Sequence, residues 1–169
     1  IKWGRVFITL ADERWVEVSD RDSNEASVRK HLLRNQARDA RFHGLKNSHT
    51  YAVDGESECG KKLSQFPLPF DIVILGMGPD GHTASLFPGA SRLSDALDMS
   101  SGRLCMAMTP INAPHDRMTL TLPALLDSHQ IYLHLSGEEK RAVYERVVSG
   151  DSVEEMPIRA VLHQGKVPV

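Results

Sequence analysis

DIVILGMGPDGHTASLFPG, residues Asp71 to Gly89, joins an apolar run, a turn with three glycines and a histidine in one short segment. Asp71–Leu75 follows Pro67 and Pro69 and is bounded by Gly76. Continuous apolar runs of this kind mark strands covered on both faces of a parallel sheet. Gly76, Gly78 and Gly81 then satisfy G-x-G-x-x-G, the pattern of a dinucleotide-binding turn. That pattern also requires an uninterrupted helix, a second strand and an acidic residue about 20 positions on. Asp95 and Asp98 stand near that distance, but Pro88-Gly89 ends any helix early and no strand precedes them. Pro79 and Asp80 would set a rigid ring and a negative charge against the pyrophosphate. The glycines are therefore read as the frame of a catalytic turn.

On either side of this segment, strand-like and helix-like runs alternate. Val6–Leu10, Leu104–Met108, Met118–Leu122 and Ile131–Leu135 are β-branched or apolar runs of strand length. Asp22 with Glu25 three residues later resembles a capping box, with Ser23 competing for the cap. The helix that follows carries Val28, Leu32 and Leu33 on one face. Residues 39–57 are polar, hold Gly44, Asn47 and Asp54-Gly55, and read as a connecting loop. Pro123–Asp127 and Glu138–Val148 read as helices, and a last short helix begins at Pro157. Strands alternating with helices predict an α/β fold with a mostly parallel sheet, whose ligands bind beyond the carboxyl ends of the strands.

The 169 residues suit a single domain with a sizeable core. Lys and Arg total 20 against 22 Asp and Glu, so the formal charge is −2. That balance argues against nucleic acid or an anionic membrane as partner. No apolar run approaches membrane-spanning length. Cys59 and Cys105 lie far apart in sequence without a Cys-x-x-Cys pair; a disulfide between them stays open, and two buried or half-buried thiols in a reducing cytoplasm are the preferred reading. The eight histidines form no metal-ligand spacing such as H-E-x-x-H.

Asp80 and His82 are the candidate catalytic groups. His82 is expected to open a short helix, where the positive end of the helix dipole favours neutral imidazole, the form a general base needs. Asp80, two residues earlier, is placed to orient the ring or anchor a substrate hydroxyl. Leu10–Val16, LADERWV, packs Asp12, Glu13 and Arg14 at the carboxyl end of the first strand. Runs of charge after a strand are usually solvated loops, but Trp15 and the flanking apolar residues weaken that default. Arg14 suits phosphate because guanidinium matches phosphate oxygens bidentately.

These stretches also carry a resemblance. DERWV (Asp12–Val16), DSNEASVRKHLL (Asp22–Leu33), Asp71–Gly89, RMTLTLPALL (Arg117–Leu126) and SGEEKRAVYERV (Ser136–Val147) stand in the order found in the 6-phosphogluconolactonases. That family shares a superfamily with the glucosamine-6-phosphate deaminases. Thr83-Ala84-Ser85-Leu86-Phe87 points to the lactonase branch, since deaminases typically carry an Asn-containing continuation there. The resemblance implies a Rossmann-like three-layer sandwich of the sugar-phosphate isomerase type. It implies hydrolysis of 6-phospho-D-glucono-1,5-lactone to 6-phosphogluconate in the pentose phosphate pathway, with no metal or organic cofactor. His82 then resembles the base that activates water, assisted by Asp80. Arg14 and Lys140 resemble phosphate ligands, with Gly76, Gly78, Gly81, Asp12 and Arg117 as further substrate-binding positions. For Arg117 a surface or structural pairing is an equal reading, and for Asn24 a capping role is the stronger one. The phosphosugar lactone is the expected partner, and the chain is expected to act as a monomer or weak homodimer. An aminosugar-phosphate deaminase or isomerase using Asp12 as proton-abstracting base stays open, as does a silent phosphosugar-binding domain. The family's N-terminal Gly-Gly-x-Thr-Pro phosphate loop has no counterpart here, so an N-terminally truncated domain is expected.

Overall fold

The computed structural model describes residues 1–169 as an α/β assembly of seven short strands and six α-helices. In chain order these are β1 (Phe7–Thr9), β2 (Asp12–Arg14), α1 (Asn24–His31), β3 (Arg41–His43), α2 (Ala52–Leu63), β4 (Val73–Leu75) and α3 (Leu93–Leu97). There follow β5 (Cys105–Met108), β6 (Arg117–Leu120), α4 (Leu122–Leu126), β7 (Ile131–Leu133), α5 (Glu138–Val148) and α6 (Arg159–Leu162). Two parallel pairs, β1–β3 and β4–β7, carry the expected α/β character; β4 and β7 align Val73 with Ile131 and Leu75 with Leu133. The sheet is less parallel than expected, because β2, β6 and β5 form a separate antiparallel sheet. β6 follows β5 through a loop too short to hold a crossover helix, so the two strands can pair only as a hairpin.

β5 and β6 are buried along their whole length and form the floor of the core. α2 lies across β5. Its Glu56 accepts the Ala107 N–H at 2.8 Å and pairs with Arg92 and Arg103, which fixes the helix to the strand. Arg159, itself buried, donates to the carbonyls of Val147, Ser152 and Arg146 at 2.8–3.0 Å. Those bonds satisfy the open end of α5 and join it to α6. Cys59 and Cys105 are free buried thiols. No helix is long and apolar enough to cross a membrane.

Four local expectations change. Residues 39–57 are not one loop: β3 and the first turns of α2 lie within them. Gly55 reads as a turn residue, but it sits inside α2, where a Cβ would fall 2.5 Å from the Trp15 ring. Ile72 and Ile74 are 56% and 67% exposed, so the apolar run before Gly76 is covered on one face only. α1 ends at His31, leaving Leu32 exposed beyond it, while Val28 packs on the core.

Candidate active site

β2 is a strand, not the charged loop its composition suggests, and its alternation builds one wall of a cavity. Asp12 and Arg14 face that cavity, while Glu13 points the opposite way into the protein. Glu13 is 1% exposed, and its carboxylate accepts four hydrogen bonds. The donors are the N–H groups of Arg14, Asn24 and Glu25 and the hydroxyl of Ser23, at 2.7–3.0 Å. The carboxylate thus neutralises the start of α1, where free N–H groups and the helix dipole favour an anion. Ser23 is the N-cap, accepting from Ala26 N–H. Asn24 is therefore not the cap. Its side chain turns to the cavity, where its oxygen accepts from Arg14 and its amide donates to the Asp12 carbonyl at 2.8 Å and carboxylate at 3.2 Å.

The cavity holds about 470 Å³ and opens beyond the carboxyl end of β4. Asp12, Arg14, Gly76, Gly78, His82, Arg117 and Lys140 all line it, joined by Asn24, Phe87 and Ala113. Asp80 and Gly81 are not among its lining residues. No cluster of three His, Cys, Asp or Glu side chains is arranged to hold a metal ion.

The glycine turn sets His82. The expected helix after His82 is absent; Thr83 and Leu86 instead close a bridged turn, and the next helix begins only at Leu93. The helix-dipole argument for the histidine falls with it. Its place is taken by a direct contact, His82 Nδ1 lying 2.6 Å from Asp80 Oδ1, which also receives the His82 backbone N–H at 3.2 Å. A carboxylate on Nδ1 holds the proton there and leaves Nε2 as the basic nitrogen. Partial burial raises the Asp80 carboxyl, but the His82 N–H, charge and ring bond outweigh it and hold its pKa below the ordinary value. Phe87 packs on the His82 ring, centroid to centroid 4.5 Å.

Gly78 is required because a Cβ would sit 2.1 Å from His82 Nδ1 and 2.6 Å from Asp80 Oδ1. Gly81 adopts φ +78° against the Met156 side chain, and its carbonyl accepts from Ile158 N–H at 3.0 Å. Lys140 and Arg146, one on the cavity and one outside it, reach from α5 to the carbonyls of Met77 and Pro79. The turn is thereby held from α5 and from the segment leading into α6.

Arg117 is the group whose role composition and spacing left open. It stands opposite Arg14 in the β2–β6 register, so two guanidinium groups meet on one face. Like charges directly opposite in a sheet are destabilising. Arg117 is 6% exposed, makes no ion pair, and its Nε finds no acceptor. Burial, and then the charge of Arg14, lower its pKa; Asp12, Glu13 and Asp22 push the other way. Two guanidinium groups on one face, one of them buried without an ion pair, suit an anionic ligand. Glu13, Ser85 and Phe87 are the contributors that residue-by-residue reading did not assign. Their only signal was membership of the two matching segments.

The family model described as glucosamine-6-phosphate isomerases/6-phosphogluconolactonase matches residues 1–169. A 6-phosphogluconolactonase of Mesorhizobium japonicum is 41% identical over all of this chain and 70% of its own length. That of Pseudomonas aeruginosa is 40% identical over 96% of this chain and 68% of its own length. The crystal structure of a 6-phosphogluconolactonase from Shewanella baltica superposes with a TM-score of 0.98 at 53% identity, covering all of this chain and 72% of that one.

Proposed function

Since the chain belongs to the glucosamine-6-phosphate isomerase/6-phosphogluconolactonase family, we propose that its cavity hydrolyses 6-phospho-D-glucono-1,5-lactone to 6-phospho-D-gluconate, a step of the pentose phosphate pathway. One observation carries the reading: His82, backed by Asp80, and two arginines without ion pairs, Arg14 and Arg117, face the same cavity. The first suits attack of water on an activated ester, the second suits the phosphate at the far end of the substrate.

His82 Nε2 takes a proton from water as the oxygen attacks the lactone carbonyl carbon. Asp80 stabilises the imidazolium that forms. The tetrahedral intermediate collapses with cleavage of the ring C–O bond, and the imidazolium returns its proton to the departing ring oxygen, leaving a hydroxyl and a carboxylic acid that loses its proton to water. Arg117 and Arg14 hold the phosphate with Lys140, which orients the carbonyl against His82. Asp12 accepts a hydrogen bond from a sugar hydroxyl. The proposal extends to a reducing, cytoplasmic setting and to a monomer or weak homodimer.

The test is lactone hydrolysis measured above the spontaneous rate. His82→Ala should lower kcat by about 10²–10⁴-fold, the usual worth of a general base, with KM little changed. An unchanged kcat removes His82 from the mechanism. Turnover of glucosamine 6-phosphate in place of the lactone would move the assignment to a deaminase, and binding of 6-phosphogluconate without turnover to a silent domain.

A further inference from the structure

Ser85 is fully buried, yet its hydroxyl is spent on a cavity residue. Its Oγ donates to Asp12 Oδ2 at 2.6 Å, while its backbone N–H donates to Thr119 Oγ1 at 3.1 Å. Three residues before it, His82 faces the cavity; between them, Thr83 Oγ1 donates to the Gly76 carbonyl at 2.8 Å. The bridged turn therefore has one residue in the His–Asp pair and another on the carboxylate of the opposite wall. Asp12 Oδ1 meanwhile receives the Asn24 amide at 3.2 Å. Each carboxylate oxygen has one donor from the protein, and neither donor can turn away. Ser85 has no exposed surface, and Asn24 is held by Arg14 and by the Asp12 carbonyl.

We propose that Ser85 is a positioning residue that fixes the Asp12 carboxylate for the substrate's sugar hydroxyl. The inference rests on the reading of Asp12 as a hydroxyl ligand. Ser85 is not a nucleophile: it is sealed from the cavity, and its proton is already given to a carboxylate with no imidazole beside it. Held at both oxygens, the Asp12 carboxylate offers its remaining lone pairs in fixed directions. A carboxylate free to rotate would meet one hydroxyl in several poses and would lose orientation of the lactone ring.

The experiment is a double-mutant cycle of Ser85→Ala and Asp12→Asn on lactone hydrolysis, with inhibition by inorganic phosphate measured in parallel. Ser85→Ala removes a single oxygen atom. It should raise KM for the lactone roughly 10-fold, the worth of a hydrogen bond to a charged group, and leave the phosphate inhibition constant unchanged. In the Asp12→Asn background the same substitution should change KM less than about 2-fold, because the carboxylate it served is gone. Weaker phosphate inhibition in Ser85→Ala would mean general damage to the site and overturn the proposal. So would a full-size Ser85→Ala effect in the Asp12→Asn background. If Asp12→Asn alone leaves KM unchanged, the hydroxyl-ligand reading fails and the inference with it. Loss at Asp12→Asn that adds to loss at Ser85→Ala defeats the inference alone.

Discussion

Replacing Arg117 with methionine should stabilise the ligand-free protein and weaken its hold on phosphate. Methionine keeps most of the length of the side chain, while the guanidinium that lies 5.9 Å over the Phe87 ring is lost. What goes is a buried charge with no ion pair and an Nε without an acceptor, directly across the sheet from Arg14. Exchanging unfavourably buried charges for apolar groups of like volume gains about 1–4 kcal/mol. Here Asp12, Glu13 and Asp22 compensate in part, so the lower end applies, about 1 kcal/mol. For a chain of this size that is a Tm higher by roughly 2–4 °C. Phosphate binding moves the other way. A charge-assisted hydrogen bond is worth about 1.5–3 kcal/mol, which is roughly 10–150-fold in affinity. A thermal melt with and without 6-phosphogluconate reads both effects. At 100 times the wild-type Kd the ligand stabilises wild type by about 2.7 kcal/mol. A variant bound 50-fold more weakly gains only about 0.7 kcal/mol at that concentration. A ligand-free variant that melts below wild type would refute the reasoning about the unpaired cation. An undiminished ligand shift would refute the phosphate assignment.

Gly78→Ala should lower kcat as far as loss of His82 does, because its Cβ displaces both members of the His–Asp pair; a kcat within 3-fold or so of wild type would show that the turn relaxes without disturbing them. Glu13→Gln replaces one acceptor oxygen with a donor facing backbone N–H groups, at a cost of about 2–4 kcal/mol and a Tm lower by roughly 5–15 °C; an unchanged melt would remove Glu13 as the anchor of α1. Asp80 has a folded pKa below its unfolded one, so the stability it contributes is present above the ordinary value of about 3.9 and is lost as pH falls through the lower folded value. The difference in stability between wild type and Asp80→Asn should accordingly be constant near neutrality and shrink only below about pH 4; a gap that opens on acidification contradicts the direction of the shift.

Much of the site could be read from local chemistry. Asp80, His82 and the glycines lie within one segment, and turn chemistry is short-range. α5 spans Glu138–Val148, the range its pattern predicts, because an amphipathic helix announces itself over three turns. What could not be read depends on partners distant in sequence. β2 is three charged or polar residues that become a strand only because β6 is there to pair with them. Gly55 breaks the helical pattern on paper but is needed in α2 to admit the Trp15 ring, 40 residues earlier. The orphan state of Arg117 is a fact about what does not surround it, and no spacing encodes that. The missing helix after His82 has the same character: Thr83 and Ser85 spend their side chains on Gly76 and Asp12, and those bonds compete with helical ones.

The alternation along β2 has a consequence for how errors in this protein would present. Strand side chains change face at every residue, so a pairing slip of one position between β2 and β6 would exchange their destinations. Glu13 would enter the cavity, and the start of α1 would face Asp12 or Arg14 in place of the carboxylate that seals it. The same slip would repel the substrate and unfasten the first helix. A misregistered molecule would therefore not persist as a stable, silent competitor for substrate; it would be loose at α1 and recognisable to the proteases that clear such chains. Three residues thus make correct assembly and chemical competence a single event.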